Sequence, residues 1–230
     1  MIPRIIHQST KTRTWEEMHL VGRLKRMMPD FQHILWSDEQ NLSLFEQLFP
    51  KHVDQYLSFD HPVVRVDVSR CLYMYKSGGI YCDTDYLFYR PLDNELLRNK
   101  CILGIEEEDN RAVGGGYKVG NAFLGSEQGF SLWTEFVESI FYRHRRGENR
   151  VVFLSGPHAL SLFLKSHKEY ESSVTFLPPA SVYPGRRYLG LTAARTETSL
   201  GAHLCWGSWR EKSFTNRVRN RARRCLSAVL

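Results

Sequence analysis

The sequence of 230 residues predicts an α/β fold, a single domain built on a mainly parallel sheet flanked by helices. Three observations carry that expectation. Short apolar runs alternate with stretches of helical periodicity, the order that gives a parallel sheet covered on both faces. A helical stretch from Arg65 breaks at Gly78-Gly79 and passes straight into the run Ile80-Tyr81-Cys82. With 42% hydrophobic and 13% aromatic residues, the chain can bury one sizeable core.

Taken in order, Ile2 to Gln8 reads as a first buried strand. Trp15 to Met28 follows as a helix of imperfect pattern. His33-Ile34-Leu35-Trp36 is a second strand, and Ser37 or Asp38 caps the next helix, which ends near Phe49-Pro50. Val64, Val68, Cys71, Leu72 and Tyr75 then recur at helical spacing and form one apolar stripe. Glycine takes left-handed backbone angles cheaply, so Gly78-Gly79 stops this helix. Ile80 to Cys82 is a buried strand. Cys101 to Ile105 and Val119 to Leu124 are further strands, and Phe130 to Tyr142 is a scaffold helix. Ser155-Gly156-Pro157 reads as a helix entry with Ser155 as N-cap and proline in the first turn. In such folds a nucleotide lies at the carboxyl ends of the strands.

The chemistry concentrates between Asp67 and Asp85. Asp67 and Arg70, three residues apart, share one face of their helix. Asp83 and Asp85, separated by one residue, stand where the strand ends and can hold a hard cation through oxygen. Such a cation neutralises a diphosphate. Taken singly, a D-x-D triplet is an ordinary solvated turn, and Asp67 with Arg70 a surface ion pair of little worth. The ordered block of helix, glycine pair, strand and aspartates favours function. An aspartyl-phosphate phosphatase is an alternative, but it needs a downstream acidic motif and a positioned lysine. Glu106-Glu107-Glu108-Asp109 reads as solvated, and Gly114-Gly115-Gly116 as a surface turn or mobile loop. Asn121 can bond a sugar hydroxyl or simply sit in a turn. A helix start at Gly156 offers N–H groups to an anion or hydroxyl.

These residues resemble glycosyltransferase family 32, the D-x-D sugar transferases of yeast Golgi and bacterial surface-polysaccharide synthesis, and more distantly the glucosylating domains of clostridial toxins. The likeness rests on Ile2-Pro3-Arg4-Ile5-Ile6-His7-Gln8, Asp67-x-x-Arg70, Gly78-Gly79-Ile80-Tyr81-x-Asp83-x-Asp85, Asn121-Ala122-Phe123, Gly156-Pro157 and His203 to Trp209. One departure is that Ser9-Thr10 follow Gln8 where an aromatic is common. The resemblance implies a glycosyltransferase A-type fold and a metal-dependent, retaining transfer of a hexose from a nucleotide sugar, with a UDP-sugar favoured over GDP-mannose. It implies Mn²⁺ or Mg²⁺ held by Asp85 and His203, with Asp83 beside them. Donor contacts would come from His7, Gln8, Asp67, Arg70, Asp83, Asn121, Gly156, Ser208 and Trp209, and Asp83, Asp85, Asp67 and Arg70 would carry catalysis. The acceptor would be a saccharide, lipid-linked ones included. A non-catalytic sugar-binding protein of the same fold is the other alternative.

Charge divides the chain unevenly. Of 31 Lys/Arg and 25 Asp/Glu, seven and one fall in residues 210–230, so the other 24 of each balance. Phe214, Val218, Ala222, Cys225, Leu226 and Val229 lie at helical spacing among those arginines. Residues 1–209 are therefore read as the nucleotide-sugar transferase domain and 210–230 as a basic amphipathic helix, set against an anionic membrane or docked on the core. Nucleic acid is not an expected partner, since aromatics are not interleaved with the basic residues. No run reaches transmembrane length and no signal-peptide pattern opens the chain, which predicts a cytoplasmic protein, peripheral at the inner membrane face. Five cysteines without C-x-x-C spacing predict reduced thiols.

Overall fold

The computed structural model describes residues 1–11, 13–107, 117–184 and 195–206. Strands in chain order are β1 (Ile5–Ser9), β2 (Gln32–Trp36), β3 (Gly79–Cys82), β4 (Tyr86–Phe88), β5 (Cys101–Glu107), β6 (Lys118–Ser126), β7 (Val174–Leu177) and β8 (Gly201–His203). Helices are α1 (Trp15–Met27), α2 (Asp38–Leu48), α3 (Val53–Leu57), α4 (Pro62–Ser77), α5 (Asn94–Leu97), α6 (Leu132–Arg145), α7 (Val151–Leu154), α8 (Pro157–Ser166) and α9 (Pro179–Val182). Among the described residues no helix is long and apolar enough to cross a membrane.

Six strands form one sheet in the order β2-β1-β3-β6-β5-β7. Pairing is parallel except where β6 meets β3 and β5, so β6 alone runs against the rest. The expected mainly parallel α/β sheet is therefore present. A two-stranded ribbon, β4 with β8, stands apart and pairs Tyr86 with His203.

Local chemistry explains the element ends. Thr14 with Glu17, and Ser37 with Gln40, close reciprocal capping boxes at the starts of α1 and α2. Pro62 opens α4, where a missing N–H costs nothing. The helix stops at Gly78, φ 64°, and Gly79 follows at φ 106°. A β-carbon on Gly79 would meet the Ile5 carbonyl oxygen at 2.5 Å, so β3 passes β1 closely only because glycine stands there.

Two apolar clusters cover the sheet. On one face α4 and α6 pack Val68, Leu72, Trp133, Phe136 and Ile140 against Tyr81 and Leu124. On the other Ile6, Ile80, Ile102 and Phe123 meet Leu24, Tyr86 and Tyr183. Among the described residues Cys71, Cys82 and Cys101 are buried free thiols and Cys205 is a half-buried one.

Two expectations are corrected. Ser155 is not the N-cap of α8; it closes α7 at its C-terminus, Gly156 occupies the N-cap of α8 without a side-chain bond, and the Ser155 hydroxyl turns inward. Glu106 is not solvated: its side chain is 10% exposed and lies 3.3 Å from the buried ammonium of Lys118. Glu108, Asp109, Gly114 to Gly116, Ser208, Trp209 and the tail 210–230 lie outside the described residues, as does the side chain of Glu107.

Candidate active site

A cleft of about 820 Å³ opens at the carboxyl ends of β1 and β3. Strand β3 delivers Asp83 to its floor. The Asp83 N–H donates to the Ala122 carbonyl at 3.0 Å, and its own carbonyl accepts from the Tyr86 N–H at 3.0 Å. The D-x-D triplet is thus a turn between β3 and β4, at the strand end where the spacing places it.

The ribbon brings the third partner. Because β8 pairs with β4, His203 stands beside Asp85, with Nε2 3.2 Å from Asp85 Oδ1 and 3.6 Å from Asp83 Oδ2. The other Asp85 oxygen accepts the Trp206 N–H at 2.7 Å. Burial opposes ionisation of Asp85, but His203 and that N–H outweigh it and hold the carboxyl below its ordinary value. Burial likewise opposes charge on His203, and Asp85 outweighs it, lifting the imidazole well above the usual range. One ligand atom from each of Asp83, Asp85 and His203 lies within 4.8 Å of the others. Two carboxylates and an imidazole suit a divalent cation such as Mn²⁺ or Mg²⁺, so the residues fit the expected metal.

Alongside lies a second, wholly buried group. Asp67 is 3% and Arg70 4% exposed, so the pair is no surface ornament. Arg70 Nη2 lies 3.0 Å from Asp67 Oδ1 and 3.5 Å from Asp83 Oδ1. Asn121 donates to Asp67 Oδ1 at 3.1 Å, and Ser155 donates to Oδ2 at 2.6 Å. Burial pushes the Asp67 carboxyl up to about 6, against the pull of Arg70, Ser155 and Asn121. Burial also disfavours charge on Arg70, but Tyr81, Asp83 and Asp67 surround the guanidinium and raise its pKa. The guanidinium sits 4.6 Å above the Tyr81 ring, whose hydroxyl donates to Asp83 Oδ1 at 2.6 Å. Arg70 also donates to the Asn121 carbonyl. The β5–β6 register is irregular between Leu103 and Ile105, opposite the segment of β6 that carries Asn121.

The remaining expected donor residues divide. Asn121 and Gly156 line the cleft, although the Gly156 N–H is already given to the Val151 carbonyl at 3.0 Å. His7 and Gln8 do not line it. His7 is fully buried and stacked with Tyr73; its Nε2 pairs with the Gly78 carbonyl at 2.9 Å and its Nδ1 accepts from Trp36 at 3.1 Å. Gln8 donates to the Asp83 carbonyl at 3.2 Å and bonds His33 at 2.8 Å, so it supports the turn from behind. Tyr81 and Ser155 complete the site yet carry no sequence signal beyond a buried strand and a helix entry.

Beneath the cleft lies Tyr183. A β-carbon on Gly104 or Gly120 would come within 2.6 Å of its ring, and its hydroxyl accepts the Phe123 N–H at 3.0 Å.

Residues 14–103 match the family described as glycosyltransferase sugar-binding region containing DXD motif. The mannosyl phosphorylinositol ceramide synthase CSH1 of Saccharomyces cerevisiae is 29% identical over 192 residues, 78% of this chain and 48% of that protein. Inositol phosphoceramide mannosyltransferase 3 of Schizosaccharomyces pombe is 39% identical over 95 residues, 40% of this chain and 26% of that protein. The chain therefore spans about half or less of the length of these relatives. Among solved structures, the PaToxG glycosyltransferase superposes with a TM-score of 0.54 over 74% of this chain and 71% of its own, at 16% identity, which speaks for the fold.

Proposed function

We propose, since residues 14–103 match the family described as glycosyltransferase sugar-binding region containing DXD motif, that the chain transfers a hexose from a nucleotide sugar to a hydroxyl of a saccharide or glycolipid acceptor. The observation that carries this is the adjacency of two groups in one cleft, Asp83-Asp85-His203 and Asp67-Arg70. Asp83, Asp85 and His203 would hold Mn²⁺ or Mg²⁺. Such a cation, when bound, offsets diphosphate charge and stabilises the departing nucleoside diphosphate.

The chain's own groups orient the sugar. Arg70, kept charged between Asp67 and Asp83, offers parallel donors to sugar oxygens. Asn121 and Asp83 contribute further polar atoms. Asp67 has both oxygens engaged, by Ser155 on one side and by Asn121 and Arg70 on the other, so it orients rather than attacks. With Asp67 and Asp83 both engaged by hydrogen bonds or ion pairs, front-side displacement with retention is the favoured course. Against a phosphoaspartyl route stands Asp83 itself, whose carboxylate is tied to Tyr81 and Arg70.

The relatives' names favour mannose as the sugar and an inositol-phosphate lipid among acceptors, over the UDP-sugar preference expected from the sequence. Thermal-shift and hydrolysis assays against GDP-mannose, UDP-glucose and UDP-galactose, with and without Mn²⁺, test the proposal. Stabilisation and turnover by none of these donors would overturn it. Peripheral attachment through the basic residues of 210–230 is part of the same proposal. Replacing Arg217, Arg221 and Arg224 with Gln should then release the chain from anionic vesicles in a flotation assay.

A further inference from the structure

One buried carboxylate joins the first helix to the D-x-D turn. Glu17, at the third position of α1, is 8% exposed. Its Oε2 accepts the Thr14 N–H at 3.1 Å, the Thr14 hydroxyl at 3.1 Å and the Thr10 hydroxyl at 3.3 Å. Its Oε1 accepts the hydroxyl of Thr84 at 3.1 Å, across 67 residues of sequence. Thr84 is the middle residue of Asp83-Thr84-Asp85 and is itself 8% exposed.

A capping box requires only the exchange between Glu17 and Thr14. The bond to Thr84 serves no helix end. It pins the residue between the two aspartates, adding a side-chain tether at Thr84 to the bonds that already hold Asp83 and Asp85 on either side of it. On its other side Glu17 holds Thr10 and Thr14, in the segment that leaves β1 at the cleft. Thr10, Lys11 and Glu17 line that cleft together with Asp83, Thr84 and Asp85. All of these bonds are donated to Glu17, whose two oxygens accept from both sides of the turn.

We propose that Glu17 is a positioning residue that acts through Thr84 to fix Asp83 and Asp85 at the spacing at which, with His203, they take a divalent cation. This rests on the metal assignment made under Proposed function. Anchoring a ligand-bearing turn from outside the coordination shell raises metal affinity by removing the freedom the ligands would lose on binding.

Calorimetric titration of Mn²⁺ into the full chain, without donor or acceptor, tests it through binding rather than turnover. Thr84→Val keeps the shape of the side chain and removes only the hydroxyl; Thr84→Ser restores it. Thr84→Val and Glu17→Gln should each weaken Mn²⁺ binding about tenfold, and Thr84→Ser should stay within about twofold of wild type. The double variant should be no weaker than the weaker single one, because both break the same link. A folded Thr84→Val that binds Mn²⁺ like wild type overturns the proposal and leaves the metal assignment standing. Wild-type protein that takes up no Mn²⁺ overturns the metal assignment and the positioning role with it. Should Thr84→Val not fold, Glu17→Gln beside Thr84→Ser decides by the same criterion.

Discussion

Ser155 donates its hydroxyl to Asp67 at 2.6 Å across 88 residues of sequence, and the bond is buried. It favours the ionised carboxyl in a place where burial has already pushed the pKa up to about 6. Removing the donor in Ser155→Ala should raise that pKa further. Asp67 holds the Arg70 guanidinium most strongly when ionised, so activity should fall as pH drops through about 6 in the wild type. In Ser155→Ala the fall should begin at higher pH. Rate profiles between pH 5 and pH 8 check this; superimposable acid limbs would separate Asp67 ionisation from activity.

Arg70→Ala should cost the fold as well as the reaction. The pair is buried, and removing the guanidinium leaves Asp67 with an uncompensated charge, a loss of about 3–5 kcal/mol. The Asp67→Ala, Arg70→Ala double variant should recover part of that stability in urea unfolding. Equal, additive losses of only about 0–1 kcal/mol are what an exposed pair would give, and would contradict the burial.

Asp85→Asn should leave the fold intact, since an amide oxygen can still accept the Trp206 N–H. Metal-dependent donor turnover should drop by about two orders of magnitude or more, with Mn²⁺ affinity falling alongside it. Near-normal turnover in this variant would remove Asp85 from the metal group.

Stability should weaken toward acid through His7. Burial holds its imidazole down to about 4, against its bond to the Gly78 carbonyl, whereas the unfolded chain titrates at 6.5. The unfolded state therefore binds the extra proton first. The contribution is complete above pH 6.5 and is lost as pH falls toward about 4, amounting to about 3 kcal/mol. Urea midpoints at pH 7.5 and 4.5 should differ less in His7→Gln than in wild type.

Much of the fold is written locally. The strands from β1 to β3 and the helices α1, α2 and α4 announce themselves by periodicity, caps and the glycine pair, because each follows from neighbours in sequence, whereas the short α3 carries no such signal. The metal group is legible in half: spacing gives Asp83 and Asp85, while His203 enters through family resemblance. Its approach depends on a ribbon between β4 and β8, and such pairing leaves no mark at either strand. The site contacts of Ser155 and Tyr81 are equally silent in the sequence. A serine before Gly-Pro looks like a cap, and a tyrosine in an apolar run looks like core; only the packed positions of α4 and β3 reveal what their hydroxyls reach. His7 shows the opposite case, a polar residue at a motif position that the packing turns inward to Trp36 and Tyr73.

The floor of the cleft is shaped by side chains that are missing. Gly104 and Gly120 leave a trough in the sheet, and the Tyr183 ring lies in it. Substitution at either glycine would evict the tyrosine upward, into the space a substrate would occupy. Positions far apart in the chain thereby share one volume. A side chain at 120 would contest it with Tyr183 alone among its nearest neighbours, and one at 104 with Tyr183 and Val182 together. Cleft depth is thus a joint property of these residues, so changing what the cleft accommodates disturbs least when made along its walls.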